Sequence, residues 1–66
     1  MLIVVNGEKM QIKDGNTLLD LVLEKKLEND QIVIEYNRRV IKKKNWEEHI
    51  LKENDKIEIL RFVGGG

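Results

Sequence analysis

The chain has 66 residues, and its twelve Lys and Arg balance its twelve Asp and Glu. This length supports one small domain, whose core leaves little room for a concave substrate pocket of roughly 300 Å³, so we do not expect a self-sufficient enzyme or catalytic residues. The chain contains no cysteine and one histidine, which excludes disulfides, a catalytic thiol and a conventional metal site, and its zero net charge gives no overall attraction to nucleic acid or anionic membranes.

The first predicted element is a β-hairpin. Met1–Val5 is apolar and β-branched, Asn6-Gly7 is a strong two-residue turn signal, and Glu8–Lys13 alternates between apolar and polar side chains. The alternation predicts four core-facing residues: Ile3, Val5, Met10 and Ile12.

A helix is predicted next, from Leu18 to about Leu27. Thr17 stands at the N-cap position, and Asp20 follows at the position of the capping-box acid. Lys25 and Lys26 are predicted in the last turn, where cations favour the helix dipole. Helical spacing gives the core-facing stripe: Leu18, Leu21 and Val22, widened by Leu19, Leu23 and Leu27.

The second half of the chain alternates short strands with turns. Ile32–Tyr36 and Val40-Ile41 are predicted strands, and Asn45–Leu51 is helical or turn-like around Trp46. Lys56–Val63 is the last predicted strand. Its alternation directs two residues inward, Ile57 and Ile59, and two outward, Leu60 and Phe62.

One helix covering one face of a mixed sheet is the economical way to bury these apolar stripes. The element order therefore predicts an α+β fold of the ubiquitin-like β-grasp type, with four to five strands and one main helix. We expect this domain to span residues 1–63.

Residues 64–66 are predicted to be a flexible tail of three glycines. Three extended residues reach about 10 Å, and the absence of side chains lets Gly64, Gly65 and Gly66 pass through a narrow channel in a partner. The alternative is that terminal glycines are merely frayed. Leu60 and Phe62, adjacent exposed apolar residues on the strand before the tail, are the predicted partner-binding surface.

The remaining candidate residues are expected to have structural roles. Five cations at 38–44 (Arg38, Arg39, Lys42, Lys43 and Lys44) are predicted to be a solvated sheet edge, with contact to an acidic partner as the main alternative. His49 is expected to be a surface or half-buried structural residue, since the chain has no serine or cysteine for it to activate. Trp46 is expected to be a lid over the core with its N–H at the rim.

Features spread along almost the whole chain resemble the ThiS family, the sulfur carrier proteins of thiamin (thiazole) biosynthesis. They are the opening strand into Asn6, Gly15-Asn16-Thr17-Leu18, Asn37, Val40-Ile41, Trp46, His49-Ile50, Asp55, Ile57 and the Gly65-Gly66 end. The resemblance implies that an adenylyltransferase of the ThiF type uses ATP to adenylate the Gly66 carboxylate. Sulfur from a donor protein, a cysteine desulfurase or similar, then converts it to a thiocarboxylate.

The same resemblance implies that a thiazole synthase of the ThiG type accepts this sulfur. The chain itself would bind no cofactor or metal, and the catalytic groups would belong to its partners. No apolar stretch approaches the roughly 20 residues of a membrane span, and we expect a cytoplasmic protein. Two alternatives remain: a carrier like the small subunit of molybdopterin synthase, and a ubiquitin-like modifier or interaction module.

Overall fold

The computed structural model describes residues 1–28 and 31–62. Its strands form one mixed sheet in the order β2-β1-β5-β3-β4, in which β1 and β5 are parallel and the other pairs are antiparallel. This arrangement confirms the predicted mixed sheet with one main helix. The elements are β1 Leu2–Val5, β2 Glu8–Gln11, α1 Leu18–Glu24, β3 Ile32–Tyr36, β4 Arg39–Ile41, a 3-10 helix Lys43–Glu48 and β5 Lys56–Arg61.

Both hairpins turn through two successive residues with positive φ. These are Asn6 (51°) and Gly7 (83°) in the first hairpin, and Asn37 (48°) and Arg38 (74°) in the second. Such turns match the twist of the flanking strands, and asparagine adopts these angles at little cost. The Asn-Gly pair predicted the first turn correctly.

The N-terminus of α1 is the predicted capping box. Thr17 Oγ1 accepts a 3.2 Å hydrogen bond from the Asp20 N–H, and Asp20 Oδ2 accepts a 2.9 Å bond from the Thr17 N–H. The two residues thereby satisfy backbone donors that a helix start leaves unpaired. The cap fixes where the helix begins.

The predicted C-terminus of α1 was wrong, because the helix ends at Glu24 and not near Leu27. Lys26 adopts a positive φ of 59°, and its N–H donates to the Leu23 carbonyl (3.0 Å) while the Leu27 N–H donates to the Val22 carbonyl (2.9 Å). This pattern is a Schellman motif. The two lysines therefore cap and follow the helix instead of occupying its last turn.

The core lies between α1 and the inner face of the sheet. The predicted inward residues of the hairpin, α1 and β5 are buried or partly buried, with one exception: Leu23 is 48% exposed. Leu23 is rotated about 100° from Val22 around the helix axis, which places it beyond the edge of the buried stripe of Leu18, Leu21 and Val22. The buried residues are Ile3, Val5, Ile12, Leu18, Leu21, Val22, Ile34, Trp46, Leu51, Ile57 and Ile59.

Trp46 is part of this core and is not a lid. Its side chain is 4% exposed, and its indole Nε1–H donates a 3.0 Å hydrogen bond to the Ile41 carbonyl. Because the backbone of β4 satisfies the indole donor, the ring does not need to reach water. The 3-10 helix that carries Trp46 packs on α1.

Candidate functional site

The candidate site is the C-terminal end of β5, which leads into the predicted glycine tail. β5 pairs with β3 along its length, from Ile57 opposite Tyr36 to Arg61 opposite Ile32. The Phe62 N–H donates a 2.9 Å bond to the Gln31 carbonyl, so this pairing extends one residue beyond the strand. Val63 and the predicted tail residues Gly64, Gly65 and Gly66 lie outside the described residues.

The outer face of the sheet carries exposed apolar side chains near this end. Leu60 is 48% exposed and Phe62 is 60% exposed, whereas the preceding inward residue, Ile59, is 9% exposed. Val33 lies opposite Leu60 on the neighbouring strand. Both residues of the predicted partner-binding surface are thus accessible, and their contact with a partner stays a prediction.

The Asn6 side chain completes the sheet on the other side of β5. Regular pairing between β1 and β5 ends where Val5 lies opposite Ile57. Beyond that point, Asn6 Oδ1 accepts a 2.7 Å bond from the Ile59 N–H, and Asn6 Nδ2 donates a 3.3 Å bond to the Ile59 carbonyl. A carboxamide offers one donor and one acceptor side by side, so Asn6 acts here as a substitute strand residue.

A surface depression of about 380 Å³ lies beside this contact. Its lining is Asn6, Lys25, Leu27, Ile59 and Arg61. The depression is open to solvent, and three of its five lining residues are polar or charged, so it is not the concave, apolar-lined substrate pocket that the small size of the chain argues against.

A buried carboxylate anchors the start of β5. Asp55 is 7% exposed, and its Oδ2 accepts 2.6 Å hydrogen bonds from the Tyr36 hydroxyl and from the Lys52 N–H. Burial, followed by the hydrogen bond to Asp55 and the charge of Asp55, raises the pKa of Tyr36 to about 12. The neutral phenol of Tyr36 therefore serves as a hydrogen-bond donor and stays protonated near neutral pH.

His49 is half-buried, as predicted, and contacts this network through its ring. The ring centroids of Tyr36 and His49 are 4.0 Å apart with an interplanar angle of 71°, an edge-to-face arrangement. Such aromatic pairs stabilise packing. This contact agrees with the expected structural role of His49.

The five predicted edge cations at 38–44 are exposed and lie on or beside β4, an edge strand. Their positions agree with a solvated sheet edge. Within residues 1–28 and 31–62, the structure contains no group of three or more potential metal ligands. In the same ranges no helix is long and apolar enough to cross a membrane.

The side chains of two turn asparagines have roles that the sequence did not predict. Asn6 bonds Ile59, and Asn37 Oδ1 accepts a 3.0 Å bond from the Lys56 N–H. Both asparagines hold β5 from hairpin turns at opposite sides of the strand. Their signal was present as asparagine at turn positions, but a turn does not reveal which distant strand its side chain meets.

The fold is that of the ubiquitin-like β-grasp proteins. The crystal structure of a thiamine biosynthesis protein (ThiS) from Geobacter metallireducens superposes with a TM-score of 0.85 over the whole of both chains, at 25% identity. The ThiS family model matches residues 3–66. The chain therefore belongs to the ThiS family.

Two curated relatives extend this result. A protein named sulfur carrier protein ThiS from Bacillus subtilis is 40% identical over 63 residues, covering 94% of this chain and 96% of that protein. A thiazole synthase from Magnetococcus marinus is 32% identical over 66 residues, which is all of this chain and 20% of that protein. A ThiS-like region thus occurs within a chain that is named as a thiazole synthase.

Proposed function

We propose that this chain is the sulfur carrier of thiazole formation in thiamin biosynthesis and not an enzyme. The observation that carries the proposal is the family match, which runs through residue 66 and so includes the terminal glycines. The similarity to a protein named sulfur carrier protein ThiS supports it. The family match favours this branch over a molybdopterin synthase subunit.

In the proposed reaction, the Gly66 carboxylate is the group that changes. A carboxylate is a poor electrophile, so an adenylyltransferase first joins it to the AMP portion of ATP and releases pyrophosphate. The sulfur of a persulfide, formed on a donor protein such as a cysteine desulfurase, attacks the carbonyl carbon and expels AMP. Reduction of the resulting S–S bond by a thiol leaves a thiocarboxylate.

The proposed acceptor of the sulfur is a thiazole synthase. The ThiS-like region of the Magnetococcus marinus thiazole synthase supports this choice, because a carrier and the enzyme that it serves gain from being held together. Leu60 and Phe62 are the proposed contacts of the folded domain, since both are exposed beside the tail. The glycines are proposed to enter the partner's active site.

Intact-mass spectrometry tests this proposal. The purified chain is incubated with an adenylyltransferase of the ThiF type, ATP and a persulfide donor, and we expect a gain equal to one oxygen-for-sulfur exchange at Gly66. A variant lacking Gly66 is the matched control and should show no exchange. An unchanged mass of the wild-type chain, under conditions that convert the Bacillus subtilis carrier, would refute the proposal.

A further inference from the structure

We infer that Asn6 is a positioning residue that holds Ile59 of β5 in the sheet and so fixes the position of Leu60 and Phe62. The role of Leu60 and Phe62 in partner binding rests on the proposed function. The contacts of Asn6 rest on the geometry alone.

Backbone hydrogen bonding on the β1 side of β5 ends at the first hairpin turn. The Asn6 backbone N–H donates a 2.9 Å bond to the Ile57 carbonyl, which is the last backbone contact from β1. The positive φ of Asn6, 51°, then turns the backbone away into the hairpin. Without a side-chain partner, the N–H and carbonyl of Ile59 would therefore have no hydrogen bond to the β1 side of β5.

The Asn6 carboxamide supplies that missing partner. It accepts from the Ile59 N–H at 2.7 Å and donates to the Ile59 carbonyl at 3.3 Å. A carboxylate of the same length keeps the acceptor but loses the donor, and its charge repels the carbonyl oxygen. Asparagine therefore meets two requirements at once, the left-handed turn and the two-way pairing with β5.

This contact lies close to Leu60 and Phe62, the proposed partner-binding surface. Ile59 immediately precedes Leu60, and Arg61 lines the same depression as Asn6. Every residue that must be ordered on binding costs free energy. A strand that is already held at Ile59 presents Leu60 and Phe62 in a fixed position, so a partner does not have to order this part of β5 on binding.

Asn37 provides a matched control in the same molecule. It also has a positive φ (48°), also forms a hairpin turn, and also bonds the β5 backbone. Its contacts are at the opposite end of the strand: its N–H donates to the Lys56 carbonyl (2.8 Å) and its Oδ1 accepts from the Lys56 N–H (3.0 Å). Glycine at either position keeps the turn unstrained and removes the side-chain contact.

The experiment compares Asn6→Gly with Asn37→Gly as substrates of a purified adenylyltransferase of the ThiF type, with pyrophosphate release as the readout. Because one or two further residues must be ordered on binding, we expect Asn6→Gly to raise KM for the carrier about tenfold with kcat little changed. Asn37→Gly should leave KM unchanged. Hydrogen exchange of the Ile59 amide should accelerate about tenfold in Asn6→Gly alone.

Asn6→Asp is the second variant, for use if Asn6→Gly does not fold. It keeps the acceptor for the Ile59 N–H and should give a KM between those of the wild type and Asn6→Gly. Equal KM values for the Asn6 and Asn37 variants, or an unaltered KM in both Asn6 variants, would overturn the inference while the proposed function stands. A wild-type chain that releases no pyrophosphate would instead refute the proposed function and, with it, the role of Asn6 in that reaction.

Discussion

The Tyr36 hydroxyl donates a 2.6 Å hydrogen bond to Asp55 Oδ2, and the same oxygen accepts a 2.6 Å bond from the Lys52 N–H. Among the residues that the structure describes, Asp55 is the only charged side chain that is buried. Its two donors join the end of β3 to the turn before β5. A buried carboxylate is tolerated only when such partners offset its loss of hydration.

Replacing Asp55 tests how much this oxygen contributes to stability. Asp55→Ala leaves the Tyr36 hydroxyl and the Lys52 N–H without their acceptor, so we expect the free energy of unfolding to fall by about 2–4 kcal/mol. Asp55→Asn can keep an oxygen in the same place and should cost about half as much. Urea unfolding followed by the fluorescence of Trp46 measures both, and equal losses in the two variants would contradict the role of the oxygen as acceptor.

Ionisation of Tyr36 should make the free energy of unfolding depend on pH in the alkaline range. Burial, the hydrogen bond to Asp55 and the charge of Asp55 raise the pKa of Tyr36 from 10.0 to about 12. The folded state therefore keeps a proton that the unfolded chain releases, so this contribution is fully present below about pH 10 and is lost as the pH rises towards 12. Ultraviolet titration can follow this residue alone, because the chain has one tyrosine.

Tyr36→Phe is the control for this pH dependence. Urea unfolding of the wild type and of Tyr36→Phe across the alkaline range should converge as the pH approaches 12, because the titrating group is absent from the variant. A Tyr36 that titrates at its ordinary pKa in the folded protein would show that the contact with Asp55 does not persist in solution.

The end of α1 contains a strain that glycine should relieve. Lys26 has a φ of 59°, in the left-handed region where a side chain costs about 1 kcal/mol and glycine costs almost nothing. We expect Lys26→Gly to raise the free energy of unfolding by about 0.5–1 kcal/mol. The neighbouring Lys25 has a φ of −85°, so Lys25→Gly should give no gain, and a gain of equal size there would point to charge instead of backbone strain.

The early end of α1 shows why the sequence could predict the existence of this helix but not its length. Thr17 and Asp20 are a local signal, since the capping contacts lie within three residues. The apolar spacing continues through Leu23 and Leu27 and so suggested a longer helix. Lys26 carries no recognised stop signal, because glycine or asparagine usually occupies that position.

The candidate site also has one part that the sequence could predict and one part that it could not. The outward direction of Leu60 and Phe62 follows from strict alternation along one strand, and the sequence therefore predicted it. The pairing of Asn6 with Ile59 joins residues 53 positions apart. It depends on the pairing of β1 with β5 ending at Ile57, two residues before Ile59, which no local pattern in the sequence encodes.

The exposed apolar face should matter for binding and little for folding. Phe62 is 60% exposed, so Phe62→Ser should change the free energy of unfolding by less than about 0.5 kcal/mol. If Phe62 is an anchor of the partner interface, its removal should weaken binding by about 1–3 kcal/mol, or at least about fivefold in Kd. Isothermal titration calorimetry with the adenylyltransferase, and separately with the thiazole synthase, measures this loss.

Val40→Ser is the matched control for Phe62→Ser. Val40 is 64% exposed and lies on the edge strand β4, so its replacement removes a similar exposed apolar group away from the tail. We expect its Kd for both partners to stay near the wild-type value, because binding energy concentrates in a few central residues of an interface. Equal weakening by both variants would extend the interface across the sheet to β4, and no weakening by Phe62→Ser would leave recognition to the tail alone.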